Sequence, residues 1–358
     1  MPLFSAKTYN VCRFIIRLKF FAWAEAVADR GIPMNKDNNV LTLERFFETT
    51  RDDLEKKIIA TVKDPEIVSI LQSGKRLRPL VQQLSFKVCT GGRETPYQYH
   101  RSIEGSVAIE LAHTASLVHD DIIDGDKERR GRPSFHVKRG VSRALLIGHR
   151  MLSTGFNIAL GHGEKIAKLY VDTWDEVLNG ELEEVDYNAS EVDESNGFGI
   201  SSKSKIFKEY YKIINMKTAS LFASACKAGA IEAEATGSIL DILSDYGREI
   251  GLAYQLADDL VDLDQGEMID SVIIPLLTRL ENKTVDCNSL KVKSIQKKLM
   301  KNSDKIKELY IEEIKRHLKR AENLSNSEVI PPSEYKELLR KAPSYIINRM
   351  LKEINITI

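Results

Sequence analysis

Apolar residues in this chain recur at intervals of three and four and seldom alternate. Leu111, Ala115, Leu117, Val118, Ile122 and Ile123 mark such a stretch between Ile109 and Ile123, and Leu252, Ala253, Leu256, Ala257 and Leu260 mark another between Tyr246 and Leu263. Leu178, Leu182 and Val185 repeat the spacing, as do Ile239, Ile242 and Tyr246. A period of about 3.6 residues is that of helices with one face turned to a core. No proline falls between Pro133 and Pro275. Since a proline inside a helix costs about 3 kcal/mol, that interval suits successive helices. The pattern predicts an all-α domain with no parallel sheet. Asn188 to Lys205, rich in Ser, Glu, Asn and Gly, reads as a loop between two of the helices.

Two acidic clusters interrupt the apolar stretches in the same spelling, Asp120-Asp121-Ile122-Ile123-Asp124 and Asp258-Asp259-Leu260-Val261-Asp262. On a helix, residues four apart leave from one side, with Cβ atoms roughly 5–6 Å apart. Asp120 therefore pairs with Asp124, and Asp258 with Asp262. Carboxylates held that close repel each other unless a cation lies between them. One such string is common on a solvated helix face, but here the neighbours are apolar, and acids in apolar surroundings need a partner. Oxygen-only clusters suit magnesium, which completes its shell with water and substrate phosphates. Two copies predict one cavity in which metal ions hold a polyphosphate between two carboxylate walls.

Basic segments supply the other half of such a site. Arg129-Arg130-Gly131-Arg132-Pro133 follows the first cluster after the short polar stretch Gly125 to Glu128. Gly74-Lys75-Arg76-Leu77-Arg78-Pro79 opens an expected helix running through Val88, and Lys217-Thr218-Ala219-Ser220-Leu221-Phe222 puts a lysine and two hydroxyls at the edge of another. Guanidinium forks and lysine ammonium groups are the side chains that grip phosphate oxygens. Each segment alone reads as a charged surface patch; acids for metal and bases for phosphate, all bordering apolar helices, form a more specific set.

Composition narrows the choice of partner. The 358 residues are 42% hydrophobic, enough for a sizeable core, and 52 basic against 52 acidic residues leave no net charge. That balance argues against nucleic acid as a partner, which a strong positive field would attract. Cys12, Cys89, Cys226 and Cys287 are scattered without a CxxC pair, the pattern of incidental thiols in a reducing compartment, and the seven histidines show no metal-ligand spacing. Residues 1–33 carry Lys7, Arg13, Arg17 and Lys19 among Phe14, Ile15, Ile16, Phe20 and Phe21. Arg17 and Lys19 cut the apolar run too short to span a bilayer. The segment is either a targeting or membrane-surface helix or an extension outside the fold, with Met34 as the true start. We favour the extension, followed by a single all-α domain over 34–358.

Taken in order, these motifs resemble the trans-isoprenyl diphosphate synthases, the polyprenyl synthetase family. The marks are Gly74 to Pro79, Glu110-Leu111-Ala112-His113-Thr114-Ala115-Ser116-Leu117-Val118-His119 running into the first aspartates, Arg129-Arg130-Gly131, Lys217-Thr218-Ala219, and Tyr246-Gly247 with Gly251-Leu252-Ala253-Tyr254-Gln255 before the second aspartates. The resemblance spans roughly Asn39 to Asp262, with a weaker tail near Tyr345 to Arg349. It implies an antiparallel bundle of about ten or more helices around a central cavity. It also implies a cytoplasmic homodimer, with a heteromer as the alternative.

The activity implied is condensation of an allylic diphosphate with isopentenyl diphosphate to give a longer trans-prenyl diphosphate and pyrophosphate. By the same resemblance Mg2+, about two or three ions entering with the allylic diphosphate, is held by Asp120, Asp124 and Asp258, with Asp121 and Asp262 as further ligands and Asp259 beside them. Lys217 joins these as a catalytic group. Arg129, Lys217, Thr218 and Gln255 would contact the allylic diphosphate. Lys75, Arg78, His113 and Arg130 would hold isopentenyl diphosphate, which brings no metal and needs a basic pocket. No dedicated general base is visible, and the released pyrophosphate is the proton acceptor that the family implies.

The growing chain would descend past the helix turns before Asp120, where Ala115, Ser116, Ala112 and then Ala108 offer no bulky stop, so a product of about twenty carbons or more is expected. Phe156 or Phe86 could close the same tunnel from the opposite wall. Two departures stand out: the loop after Asp262 is shorter than usual and lacks lysines, and Gly148-His149 replaces a usual Gly-Asp. The first leaves a weakly active or non-catalytic partner subunit of a heteromeric synthase as the alternative, although all six aspartates are kept. An HD-type metal phosphohydrolase built on His119-Asp120, with His113 and His136, would leave the second aspartate cluster and the basic motifs unexplained. A class I terpene cyclase would not keep Asp258, Asp259 and Asp262 intact.

Overall fold

The apolar periodicity resolves into long helices in a computed structural model that describes residues 41–72, 74–190, 210–265 and 292–358. The expectations for residues 1–33, for most of Asn188 to Lys205 and for the shortened loop lie outside the described residues. The first helix, α1 (Leu43–Thr61), starts at Thr42, whose hydroxyl accepts from the Arg45 N–H at 3.3 Å, and buries Phe46, Phe47, Thr50, Leu54 and Ile58 along one face. Asp64 and Pro65 begin α2 (Pro65–Leu71), and α3 is Leu77–Thr90. The apolar stretch from Ile109 to Ile123 falls in α4 (Pro96–Ile123), opened by a reciprocal cap in which Thr95 and Gln98 satisfy each other's backbone N–H groups.

After α4 the chain makes a small antiparallel hairpin, β1 (Glu128–Arg129) and β2 (Arg132–Pro133), which helical periodicity could not announce. Its turn residues Arg130 and Gly131 both have positive φ, 55° and 69°, as a two-residue hairpin turn requires. Then come α5 (Phe135–Arg139), α6 (Val141–Gly161) and α7 (Glu164–Ser190). Because α7 runs to Ser190, the first residues of the expected loop are helical. A π-helical turn, Asn215–Ala219, leads into α8 (Ser220–Glu232), followed by α9 (Ser238–Gln265), α10 (Val292–Ser325) and α11 (Glu334–Leu351).

The all-α expectation holds: among the described residues there are eleven α-helices and one two-stranded hairpin. No described helix is long and apolar enough to cross a membrane. Helix α4 packs on α3 and α6, and α8 lies between α3 and α9. Two glycines let α9 approach the turn that carries Lys217. A Cβ at Gly247 would stand 2.4 Å from the Phe222 carbonyl oxygen, and one at Gly251 would stand 2.5 Å from Ala219 Cα. The apolar stripe of α7 takes an unexpected orientation. Leu178, Leu182 and Val185 face outward with 43%, 61% and 43% exposure, so the spacing that reveals the helix does not mark its buried side.

Candidate active site

The first acidic wall stands at the C-terminal end of α4. Asp124 ends the helix, its N–H reaching the Asp120 carbonyl at 2.9 Å, so the expected four-residue pairing is realised. Burial and the neighbouring Glu181 push the Asp120 carboxyl up to about 8, with Lys217 opposing. One Asp120 oxygen, Oδ1, is buried without a hydrogen-bond partner. Burial raises Asp124 as well, again against Lys217. Asp121 turns away: it is buried and accepts a hydrogen bond from Arg129 Nε.

Lys217 comes to this wall from the π-helical turn, but it does not come alone. Its Nζ lies 2.9 Å from Glu181 Oε2 and also contacts Glu184, both on α7. Burial works against the ammonium, yet Glu184, Glu181 and Asp120 together raise its pKa. Neither glutamate was singled out from the sequence. The signals available were their spacing of three on a helix and the Gly180 before them, where a Cβ would stand 3.0 Å from the Lys217 backbone nitrogen.

The second wall stands on α9. Asp258 is raised by burial and lowered by Lys75 and Arg78. Asp259 is buried and engaged at both oxygens, accepting from Tyr210 Oη and, at 2.9 Å, from Gln255 Nε2. Burial pushes it up to about 7 despite those bonds. Asp262 lies half-buried one turn on. The Thr218 hydroxyl donates to Gln255 Oε1 at 2.7 Å, so the lysine turn and the second wall are joined through Thr218, Gln255 and Asp259. The π-helical turn thus bears on both walls, through Lys217 on the first and through Thr218 and Gln255 on the second. Tyr210 is a further site residue that no sequence motif signalled.

Arg78 and His113, both expected at the isopentenyl diphosphate, lie side by side. Arg78 Nη1 lies 2.9 Å from His113 Nε2, and its guanidinium carbon sits 4.6 Å above the centre of the Phe222 ring. Burial and then Arg78 hold the His113 pKa well below the ordinary histidine value, so the ring is neutral and Nε2 accepts. Its Nδ1 is buried and unpartnered. A cavity of about 410 Å³ opens beside it, lined by Glu110, His113, Asp121, Arg129, Arg130 and Arg132 among others. Arg76, between Lys75 and Arg78, points inward to Glu55 and Glu110. His113 is committed to Arg78, which removes it as a metal ligand beside His119-Asp120. His149 is exposed, its ring 5.1 Å from that of His119.

The chain-length positions separate. Ala112 and Ala108 line an apolar gap with Phe156, Tyr170, Trp174 and Leu221. The gap has only about 10 Å³, near the least that holds one water. Ala115 does not line it: it is fully buried in an apolar cluster with Leu111, Val118, Ala144, Ile147 and Met151. Ser116 bonds back to the His113 carbonyl at 2.8 Å. Phe86 is fully buried and does not line the gap either.

The donor set fits a hard divalent cation. All candidate ligands are carboxylate oxygens, one buried Asp120 oxygen has no partner, and burial raises the pKa of both walls, a cost that a cation would relieve. Among the described residues no three acidic, histidine or cysteine groups converge on one point, so water and substrate phosphates would complete the shell.

Comparison with known proteins gives the family and the fold. The profile of the family described as polyprenyl synthetase matches residues 62–270. A geranylfarnesyl diphosphate synthase of Methanosarcina mazei is 31% identical over 212 residues, 58% of this chain and 65% of the relative. A geranylgeranyl diphosphate synthase of Sulfolobus acidocaldarius is 34% identical over 200 residues, 54% of this chain and 56% of the relative. Each alignment thus spans less than two thirds of the relative's length. The crystal structure of a geranylgeranyl pyrophosphate synthetase from Pyrococcus horikoshii superposes with a TM-score of 0.68 at 23% identity, covering 86% of this chain and 98% of that one, which shows a shared fold.

Proposed function

This chain belongs to the polyprenyl synthetase family, and from that premise we propose that it condenses an allylic diphosphate with isopentenyl diphosphate, releasing pyrophosphate. The observation that carries the reading is a turn that bears on both aspartate walls, through Lys217 and through Thr218 and Gln255, together with a basic cavity that holds a neutral His113 against Arg78.

In this reading Asp120, Asp124 and Asp258 hold magnesium, with Asp262 and Asp121 nearby, although Asp121 is already tied to Arg129. When bound, the metal neutralises the charge that builds on the leaving diphosphate. Asp259, engaged at both oxygens, fixes Gln255 and through it Thr218. Lys217, Thr218, Gln255 and Arg129 contact the allylic diphosphate. Arg78, Arg130, His113 and the exposed Lys75 hold isopentenyl diphosphate, with the buried Nδ1–H of His113 able to donate to a phosphate oxygen.

A product of about twenty carbons or more fits the small residues of α4, with Phe156, Tyr170 and Trp174 as the aromatic floor beneath them. A cytoplasmic homodimer belongs to the same proposal. Supporting the dimer, Val171, Leu178, Leu182 and Val185 leave a large apolar stripe of α7 uncovered, and a second copy would cover it.

The test is an assay of the purified full-length protein alone, with magnesium, an allylic primer and labelled isopentenyl diphosphate. Elongated diphosphates that vanish on chelation are expected. Absence of product from a well-folded sample would overturn the reading.

A further inference from the structure

The gap along Ala112 and Ala108 is mainly apolar, but the layer beneath it is not. Gly105 continues the same face of α4 one turn below Ala108, and around it the buried side chains are polar: Gln82, Gln83, Ser102, Ser106 and Glu232. Three polar groups converge on the glycine itself. A Cβ at Gly105 would stand 3.0 Å from Glu232 Oε1, 3.3 Å from Gln82 Nε2 and 3.6 Å from His162 Cε1. These groups arrive from α8, from α3 and from the residue that ends α6. Gly229 permits the meeting: a Cβ there would stand 2.1 Å from the Gln82 carbonyl oxygen, so α8 can lie directly on α3.

The members of this layer are held differently. Glu232 is fixed, hydrogen-bonded to His162 Nδ1 at 2.5 Å with Arg101 Nε 3.7 Å away. Gln83 donates to the Ser102 and Ser106 hydroxyls at 2.6 and 2.8 Å. Gln82 has no such tie: it is fully buried, and neither its amide nitrogen nor its amide oxygen has a hydrogen-bond partner in the protein. A hydrocarbon end pressed against that amide would complete its isolation. Each methylene buried higher up, against Ala108, Ala112, Leu152 and Leu221, gains from leaving water. Each one buried against the polar layer leaves a polar group unsatisfied.

We propose that Gln82 is a specificity-determining residue: with Glu232 and His162 it forms a polar stop under the aromatic floor, and ends the hydrocarbon tunnel at Gly105 by polarity rather than bulk. The inference rests on the functional reading above and deepens it. Gly105 lies about 4.5 Å beyond Ala108 at 1.5 Å per residue, roughly the length of one isoprene unit. Tyr170 closes the tunnel just above, its hydroxyl donating to the Gly105 carbonyl at 3.0 Å. Removing the tyrosine ring therefore opens a short advance, and the polar layer decides whether the chain gains more.

The experiment reads product length by mass spectrometry, from the full-length protein with magnesium, an allylic primer and isopentenyl diphosphate. Gln82→Met keeps the shape of the side chain and removes the amide, so it should fold as well as wild type. Tyr170→Ala/Gln82→Met should give a product longer than that of Tyr170→Ala by at least one isoprene unit. Tyr170→Ala/Gln82→Asn, which keeps the amide with less bulk, should give the product of Tyr170→Ala. Gln82→Leu takes the place of Gln82→Met if thermal melting shows that the methionine variant does not fold. Equal products from Tyr170→Ala and its methionine double variant overturn the inference. So does an asparagine double variant that lengthens the product as much as the methionine one, because bulk would then set the stop. Either result leaves the functional reading standing. A folded wild type that makes no elongated diphosphate overturns both.

Discussion

Arg76 and Glu110 form an ion pair of 2.7 Å in which both side chains are sealed from solvent, and this pair decides how the basic loop before α3 is presented. Arg76 also reaches Glu55 at 2.7 and 3.2 Å, and it holds a left-handed backbone with φ of 60°. The space around the pair is closed: a Cβ at Gly74 would stand 2.1 Å from Arg76 Nη1 and 2.6 Å from Glu110 Oε1. The middle arginine of Gly74-Lys75-Arg76-Leu77-Arg78-Pro79 is therefore an anchor, and only Lys75 and Arg78 are turned toward the site.

Glu110→Ala should destabilise the protein by about 3–5 kcal/mol, because it leaves a buried guanidinium with too few partners. Arg76→Lys should recover little of what a larger change at that position loses, since one ammonium cannot serve both carboxylates as the guanidinium fork does. Urea denaturation of the variants measures both. A loss under about 1 kcal/mol for Glu110→Ala would mean that water or Glu55 satisfies Arg76 alone.

The acidic walls set a pH dependence of stability. The folded-state pKa of Asp120 is raised from 3.8 to about 8 by burial and by Glu181. A carboxyl raised on folding binds its proton more tightly in the native state. Its stabilising effect is therefore complete below about pH 4 and is lost as pH climbs to about 8. In EDTA, Asp120→Asn should melt several degrees above wild type at pH 8, and the difference should shrink steadily toward pH 4. Magnesium with pyrophosphate should stabilise the wild type and fail to stabilise the variant to the same extent. A variant that melts below wild type at pH 8 would show that the carboxylate is already well paired in the protein.

The two diphosphate pockets should separate in kinetics. Lys75→Ala, Arg130→Ala and His113→Ala should raise the KM for isopentenyl diphosphate more than that for the allylic primer, and Lys217→Ala should do the reverse. His113→Gln should be milder than His113→Ala, because an amide can still accept from Arg78. Steady-state kinetics with each substrate varied in turn decides this. Equal effects of all these variants on both substrates would dissolve the division of roles.

Much of this site was legible in the sequence because its signals are local. Asp120 and Asp124 face one way by helix geometry alone, and the basic character of the Arg129-Arg130-Gly131 run is read directly, although the hairpin it forms is not. What stayed hidden depends on contacts across the bundle. Glu181 and Glu184 lie 36 and 33 residues before Lys217 on another helix, Tyr210 lies 49 before Asp259, and no spacing rule connects them. Residue type alone does not separate Arg76 from Lys75 and Arg78; the family resemblance left it out, and its burial against Glu55 and Glu110 gives the reason. The outward stripe of α7 shows the same limit: periodicity gives a helix an apolar face but not what covers it.

Product length is the prediction on which these limits bear most. From Asp120 the same helix face continues through Ser116, Ala112 and Ala108, and the last of these lies about 18 Å below the aspartate at 1.5 Å per residue. The gap along Ala112 and Ala108 is closed by Phe156, Tyr170 and Trp174 from α6 and α7. Tyr170 is held there, its hydroxyl donating to the Gly105 carbonyl at 3.0 Å. Behind Gly105 the surroundings turn polar: a Cβ there would stand 3.0 Å from Glu232 Oε1 and 3.3 Å from Gln82 Nε2, and Glu232 is paired with His162 at 2.5 Å. A hydrocarbon tail that advanced past Tyr170 would have to bury itself against the hydrogen-bonded Glu232 and His162 side chains, which burial of apolar surface does not offset. The floor should thus be aromatic and lie on α7, below the alanines. Tyr170→Ala should lengthen the product, Trp174→Ala should do so less, and Ala112→Phe should shorten it. Ala115→Phe should mainly cost stability, about 1–3 kcal/mol by overpacking, because Ala115 is fully buried in an apolar cluster. Mass spectrometry of the products from each variant gives the answer, and an unchanged product from Tyr170→Ala would move the floor away from α7.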